Sequence, residues 1–358
     1  MARIAISACG EGRGHASRVM CLIEELYPRH EILVLSFGEG FDQLDQYIKK
    51  NKHEISLFRI SGVTYKYNNF RLSPLRTYLH WASFFLLRLS SECQYVDRII
   101  SRFSPQLAIT DFEPCLPRVA KRRGIRCISI DHQHILRFFN IWRLPIKLAI
   151  RCFIGSFICK IYVPNADLYV VSSFFKEKLP RKSTKERVMQ VGPIVRKDIR
   201  SADVSDSGTI VSYLRKKLPS NLLQAFLAAG LPVIVYGLGR QKDISNITFK
   251  GFSIEEFVSD LSRATVVIGA AGNQLLGESL YLGKPYYALP EENHHEQILN
   301  SILLERMGLG TSSRLESFKE KDLKKFLQNR NNKVHGTEVE QSDRGTLESI
   351  VKMIQEEL

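Results

Sequence analysis

Two doubly wound α/β domains are the fold class this sequence predicts. Three observations carry the prediction. Short apolar runs of strand length alternate with helix-length stretches, a glycine-rich turn follows the first run, and a second glycine turn follows a later run ending at Gly269. The chain has 358 residues, room for two domains of ordinary size with substantial cores.

The elements follow in order. Arg3 to Ser7 reads as a buried strand, followed by a glycine turn and a helix through Leu26; Glu31 to Ser36 is a second strand. Leu107 to Asp111 is a strand ending in a carboxylate, and Arg126 to Asp131 and Asp167 to Ser172 close the first series. Near-continuous apolar strands of this kind suit a parallel sheet covered on both faces. A polar segment, Arg181 to Ser207, reads as the linker. Gly208 to Tyr213, Pro232 to Gly237, Thr265 to Gly269 and Pro285 to Leu289 form the second series. The expected division is a first domain over residues 1–195, a second over 196–345, and a terminal helix over 346–358 that docks back on the first. Such sheets take ligands at the C-terminal ends of their strands, here in a cleft expected between the domains.

The block from Gly269 to Gly310 carries most of the functional information. A glycine turn opens a helix bearing Glu278, a Gly-Lys-Pro turn leads to a short strand, and the next loop ends in Glu296-Gln297 before another helix. A carboxylate placed just beyond a glycine turn can accept both hydroxyl protons of a ribose diol. An acid–amide pair on the following loop can read a second polyhydroxylated ring. The pattern therefore suggests a nucleotide-sugar pocket.

Cys9-Gly10-Glu11-Gly12-Arg13-Gly14-His15 lies between the first strand and first helix. Its glycines permit a tight turn and close backbone approach, and the helix start offers N–H groups to an anion. The spacing differs from a dinucleotide fingerprint, and the second strand ends in Ser36-Phe37-Gly38 without the acidic residue that holds a ribose. No cofactor is expected beyond a nucleotide sugar as co-substrate. His15 has the chemistry to remove a hydroxyl proton, and Asp111, at the end of a parallel strand on the same rim, can orient it. The plainer alternative is that His15 caps the turn and Asp111 caps the next helix.

Together these residues resemble the GT-B glycosyltransferases. The similarity is to UDP-glycosyltransferases and to the peripheral-membrane N-acetylglucosaminyltransferase that makes the lipid-linked peptidoglycan precursor. Thr110-Asp111-Phe112-Glu113-Pro114 and Ser129-Ile130-Asp131-His132-Gln133-His134 resemble a subgroup of predicted glucuronosyltransferase-related proteins. The resemblance implies GT-B architecture, with two Rossmann-like domains, and an inverting sugar transfer. It implies His15 as general base, Asp111 as its orienting acid, Glu278 on the donor ribose, and Glu296 and Gln297 on the donor sugar. Gly272 then falls in the turn approaching the diphosphate. The sequence departs from the pattern at Ala270, where many relatives have a diphosphate-binding histidine, and at Leu275 and Leu276, where they have Ser or Thr. Diphosphate capture would rest on Gly272 and Asn273, or on Ser212 and Arg215. Gly12, Gly14, His132 and His134 are the candidate acceptor contacts; hydrogen bonding within their own loop is the alternative for the two histidines.

A net charge of +14 calls for an acidic partner. Nucleic acid is not expected, because the basic residues interleave with aliphatic runs and no RNA- or DNA-binding motif is visible. Arg143, Lys147 and Arg151 recur every fourth residue in an otherwise apolar stretch with Trp142, and Tyr78 to Leu89 is also apolar. That pattern suits an interfacial helix on an anionic leaflet, and a lipid-linked or membrane-presented acceptor. A buried helix with a solvated edge is the competing reading. No spanning helix is expected, since the longest uncharged run here is Cys152 to Cys159, against the ~20 residues a span needs. Seven cysteines without a CxxC pair, and no signal peptide, point to reduced thiols and a cytoplasmic protein, peripheral at most. Neither His294-His295-Glu296 nor any Asp-x-Asp motif makes a metal site expected. A nucleotide-sugar epimerase on the same fold, or a non-catalytic nucleotide-sugar or polyanion binder, remain the alternatives to transfer.

Overall fold

The computed structural model describes residues 1–68, 71–138, 144–175, 186–215, 217–251, 253–330 and 345–358. The chain forms two compact units. One comprises Met1–Tyr67, Ser73–Ile194 and Arg344–Leu358, the other Asn68–Leu72 and Val195–Asp343.

The first unit is built on strands β1 (Arg3–Ala8), β2 (Glu31–Ser36) and β3 (Ser56–Arg59). A two-stranded ribbon, β4 (Tyr67–Asn68) with β5 (Arg71–Leu72), follows. The sheet resumes with β6 (Leu107–Asp111), β7 (Arg126–Asp131), β8 (Leu168–Ser172) and β9 (Val188–Val191). Its order is β3-β2-β1-β6-β7-β8-β9, parallel throughout, with Ile4 opposite both Ile32 and Leu107. The direction of winding reverses between β1 and β6, where Ala8 lies opposite Asp111. A switch point of that kind leaves a crevice at the strand ends.

Helix Arg13–Leu26 buries Ala16, Val19, Met20, Ile23 and Leu26, the repeat of one helical face, against this sheet. The terminal helix, Thr346–Glu357, adds Leu347, Ile350, Met353 and Ile354 to the same core. Glu357 accepts hydrogen bonds from Arg126 at 3.2 Å and Arg187 at 2.7 Å.

The second unit holds β10 (Ile210–Tyr213), β11 (Val233–Tyr236), β12 (Ile247–Phe249), β13 (Val266–Gly269), β14 (Tyr286–Ala288) and β15 (Gly310–Ser312). The order β12-β11-β10-β13-β14-β15 is again parallel, and its switch point lies between β10 and β13, with Tyr213 opposite Gly269.

The polar segment read as a linker differs from that expectation. Val188–Val191 completes the first sheet beside β8, and Lys197–Arg200 forms a short helix. Four residues with the polar Gln190 among them give too short an alternation to stand out; pairing with Tyr169 to Ser172 makes them a strand. Trp142 and Arg143, and residues 331–344 before the last helix, lie outside the described residues.

Candidate active site

At the first switch point the backbone N–H of Cys9 donates to the carbonyl of Asp111 at 2.9 Å, joining the glycine loop to the end of β6. Gly10 is required by sterics: a Cβ there would lie 1.8 Å from the Phe37 carbonyl oxygen. Gly12 has φ +76° as the N-cap of helix Arg13–Leu26, a conformation that suits glycine. Glu11 accepts from the backbone N–H of Tyr65 at 3.0 Å, so the loop is held from its outer side as well. After Asp111 the chain turns through Phe112 at φ +53°, a left-handed conformation uncommon outside glycine. Strain of that sort clusters where a site over-determines the backbone.

His15 and Asp111 meet. The Nδ1 of His15 lies 2.7 Å from Asp111 Oδ1, and both side chains are buried. Arg18, which the sequence reading passed over, donates from Nε to Asp111 Oδ2 and from Nη2 to Oδ1, both at 2.8 Å. Its spacing from His15, three residues along one helix, is the sequence signal that could have flagged it. Gln133 closes the group, with its amide nitrogen 3.4 Å from His15 Nε2. A proton on Nδ1 given to Asp111 leaves Nε2 as the acceptor, which is the arrangement a general base needs.

The candidate acceptor histidines are placed differently. His132 and His134 are both interior: His132 Nδ1 lies 2.7 Å from the Ser172 carbonyl, and His134 Nδ1 lies 2.7 Å from Asp131 Oδ2. The His134 ring is packed among Phe112, Phe138 and Tyr169. Gln133, between them, points toward His15 instead. Burial alone pushes the Asp131 carboxyl up. The His134 charge, the His134 hydrogen bonds and the Ser129 hydroxyl outweigh that and hold it at about 2.

In the second unit the turn after β13 is fixed from beneath. Tyr286 donates to the Ala270 carbonyl at 2.6 Å and Asn300 to the Ala271 carbonyl at 2.9 Å. Gly272 is the N-cap of helix Asn273–Tyr281 and adds no capping side chain; a Cβ there would meet nothing within 4 Å. An open helix N-terminus of this form suits an anion. Asn273 is buried at the helix start, while Leu276 is fully interior and so takes no part in a surface site.

Glu278 lies on the same helix, buried, and is gripped by a residue the sequence reading also missed. Arg196 donates from Nε to Oε1 at 2.7 Å and from Nη2 to Oε2 at 2.8 Å, and Gln274 adds a 2.8 Å bond to Oε1. The carboxylate is thus a shared acceptor in this conformation, with part of its lone-pair capacity already taken.

Glu296 and Gln297 lie in the first turn of helix His295–Arg306, not in the preceding loop, because the His294 side chain caps that helix by accepting from Gln297 N–H. The Gln297 side-chain oxygen accepts from Glu291 N–H at 2.8 Å, and the Glu291 carboxylate lies 4.0 Å from Arg215. Ser212 is buried on β10. Arg215, Glu291 and Gln297 are therefore linked, and Tyr213 beside Ser212 pairs with Gly269.

Two parallel sheets, each with its glycine turn at a switch point, define the class as GT-B. The fold is similar to that of Arabidopsis thaliana UGT89C1 complexed with UDP-L-rhamnose, at TM-score 0.69 and 14% identity over 98% of each chain. It is also similar to Medicago truncatula UGT71G1 complexed with UDP-glucose, at TM-score 0.67 and 13% identity, covering 99% of this chain and 98% of that one. An uncharacterized glycosyltransferase of Methanosarcina mazei is 26% identical over 342 residues, 86% of this chain and 85% of the relative. The family model for glycosyl transferase family 1 matches residues 2–330. The chain belongs to that family and is a glycosyltransferase.

Proposed function

We propose that this enzyme moves a sugar from a UDP-sugar to a hydroxyl acceptor with inversion, and that His15 is its base. The observation that carries the reading is the buried 2.7 Å contact between His15 Nδ1 and Asp111, which leaves Nε2 to take a proton. The acceptor oxygen attacks the anomeric carbon as its proton passes to His15 Nε2. The bond from that carbon to the diphosphate oxygen breaks, and the nucleoside diphosphate leaves with the electron pair. One displacement inverts the centre. Glu278 holds the ribose, Glu296 and Gln297 the sugar, and the turn at Gly272–Asn273 with Ser212 and Arg215 the diphosphate. The absence of an Asp-x-Asp motif supports a transfer in which no metal is obligatory. UDP-sugars in two solved neighbours support the donor class.

A membrane-presented acceptor is the finer reading, and helix Ile146–Tyr162 favours it. Its inward face carries Leu148, Cys152, Gly155, Cys159 and Tyr162, and Gly155 sits so near Leu136 that a Cβ would come within 2.9 Å. Other large residues point outward: Ile146 is 78% exposed, Phe153 64% and Phe157 63%, with Lys147, Arg151 and Lys160 exposed among them. Leu86 and Leu87, on the neighbouring apolar stretch, are exposed too. Trp81 and Phe85 of that stretch meet Tyr162, which stacks on Phe112 at 4.7 Å, one residue past Asp111. This face fits an anionic leaflet and an acceptor with an apolar tail. Among the described residues no helix is long and apolar enough to cross a membrane.

The test pairs turnover with donor binding. His15→Ala should lower UDP release from UDP-glucose by roughly 10²–10⁴-fold while keeping the thermal stabilisation that the donor gives. Unchanged turnover removes His15 as the base. A new sugar nucleotide formed from donor alone would favour an epimerase, and stabilisation without any turnover a binding protein.

A further inference from the structure

The third member of the buried group at the end of β6 is a permanent cation. Arg18 is 3% exposed, Asp111 1% and His15 7%. The guanidinium lies side-on to the carboxylate, one nitrogen on each oxygen, and its Nη2 is 3.0 Å from His15 Nδ1. With the imidazole proton given to Asp111, the two nitrogens sit side by side over the oxygen they share. Such a fork fixes both the position and the rotation of the carboxylate.

The charge count follows from these contacts. With His15 neutral, Arg18 and Asp111 cancel; with His15 protonated, the buried trio carries one positive charge. Without Arg18 the order reverses, because the neutral ring would face a lone buried carboxylate and the protonated ring would neutralise it. Buried net charge is costly, so the guanidinium favours the unprotonated ring. Among the described residues the other ionisable groups around this rim include Cys9, with Glu11 and Glu113 near its thiol, Tyr162 stacked on Phe112, and, one strand over, the Asp131–His134 pair with His132 on the Ser172 carbonyl. Burial pushes both the Cys9 thiol and the Glu113 carboxyl up, toward their uncharged forms, while Gln133 is neutral. None of these replaces the charge of Arg18 at the carboxylate.

We propose that Arg18 is a positioning residue of the dyad: it aims Asp111 at His15 Nδ1 and, by sharing the carboxylate, keeps the imidazole in its proton-accepting form. The proposal rests on the reading of His15 as the base, and it makes Asp111 a divided partner that stabilises the imidazolium less than an unshared carboxylate would.

The experiment follows the His15 ring by NMR in full-length protein labelled with ¹³C-histidine, its resonance assigned by loss in His15→Gln. The same variants are assayed for UDP release from UDP-glucose across pH. Arg18→Gln keeps polar contact and removes the charge. It should move the His15 titration midpoint up by about one pH unit or more, with the acid limb of the rate profile moving alongside. Arg18→Lys keeps the charge and loses the fork. It should leave the midpoint in place and lower kcat about tenfold with KM unchanged. A midpoint unmoved in folded Arg18→Gln overturns the proposal. Should Arg18→Gln not fold, Arg18→Lys decides: an altered midpoint or an unchanged kcat overturns it. If His15→Gln leaves UDP release intact, the base reading fails by itself, and the ring titration still reports on Arg18.

Discussion

Glu278 and Asp111 share one device: a buried carboxylate held by a bidentate arginine, Arg196 in one unit and Arg18 in the other. Removing one member of such a pair leaves its partner buried and uncompensated, a change that costs about 3–5 kcal/mol. Glu278→Gln should therefore destabilise the second unit by that order, measured by urea unfolding. Joint replacement, Arg196→Met with Glu278→Leu, should recover most of the loss. A double variant as unstable as the sum of the singles would show that the pair is not coupled. On the proposed role of Glu278, a donor ribose would engage a carboxylate already oriented by Arg196, and donor affinity should then depend on Arg196 as well as on Glu278.

The turn that follows β7 is the element where titration and structure are most tightly joined. Asp131 at the strand end caps its own turn, accepting from the backbone N–H of His134 at 2.9 Å and from Ser129 at 2.6 Å. Its carboxyl is held down to about 2, whereas an unfolded aspartate titrates near 3.9. A depressed carboxyl contributes stability that is present above the unfolded value and is lost as pH falls from about 4 toward 2. The shift corresponds to about 2 kcal/mol at neutral pH. Asp131→Asn should lie below the native protein in stability at pH 6 and converge with it near pH 2, followed by denaturant midpoints across that range. A gap that stayed constant down to pH 2 would rule out this linkage. The same turn decides which way three successive polar residues point: two histidines inward, and Gln133 toward His15.

The molecule is a pair of units, each with its own parallel sheet and core, carrying a net charge of +14. On the first unit, part of that charge is interleaved with a large exposed apolar surface. Vesicles rich in phosphatidylglycerol should sediment the protein at low salt, and phosphatidylcholine vesicles should do so far less. Replacing Lys147 and Arg151 with glutamine should weaken partitioning roughly tenfold to thirtyfold, at about 1 kcal/mol for each cation near the surface. Equal sedimentation with both lipids, or none with either, would count against an anionic leaflet as the partner of this face.

Strand and helix order, the two glycine turns and the carboxylates at strand ends were legible along the chain, because each depends on local periodicity and local backbone freedom. That local information placed His15, Asp111 and Glu278 on elements able to carry chemistry. It was weaker for short strands such as Val188–Val191, whose four residues become a strand only beside a partner. What only the tertiary structure decided is which side chains meet. Arg18 reaches Asp111 across 93 positions and Arg196 reaches Glu278 across 82, and no local pattern encodes either pairing. Packing likewise turned His132 and His134 inward, and Ile146, Phe153 and Phe157 outward. Composition names the groups a chain possesses; burial and long-range contact decide which of them face one another and which face solvent.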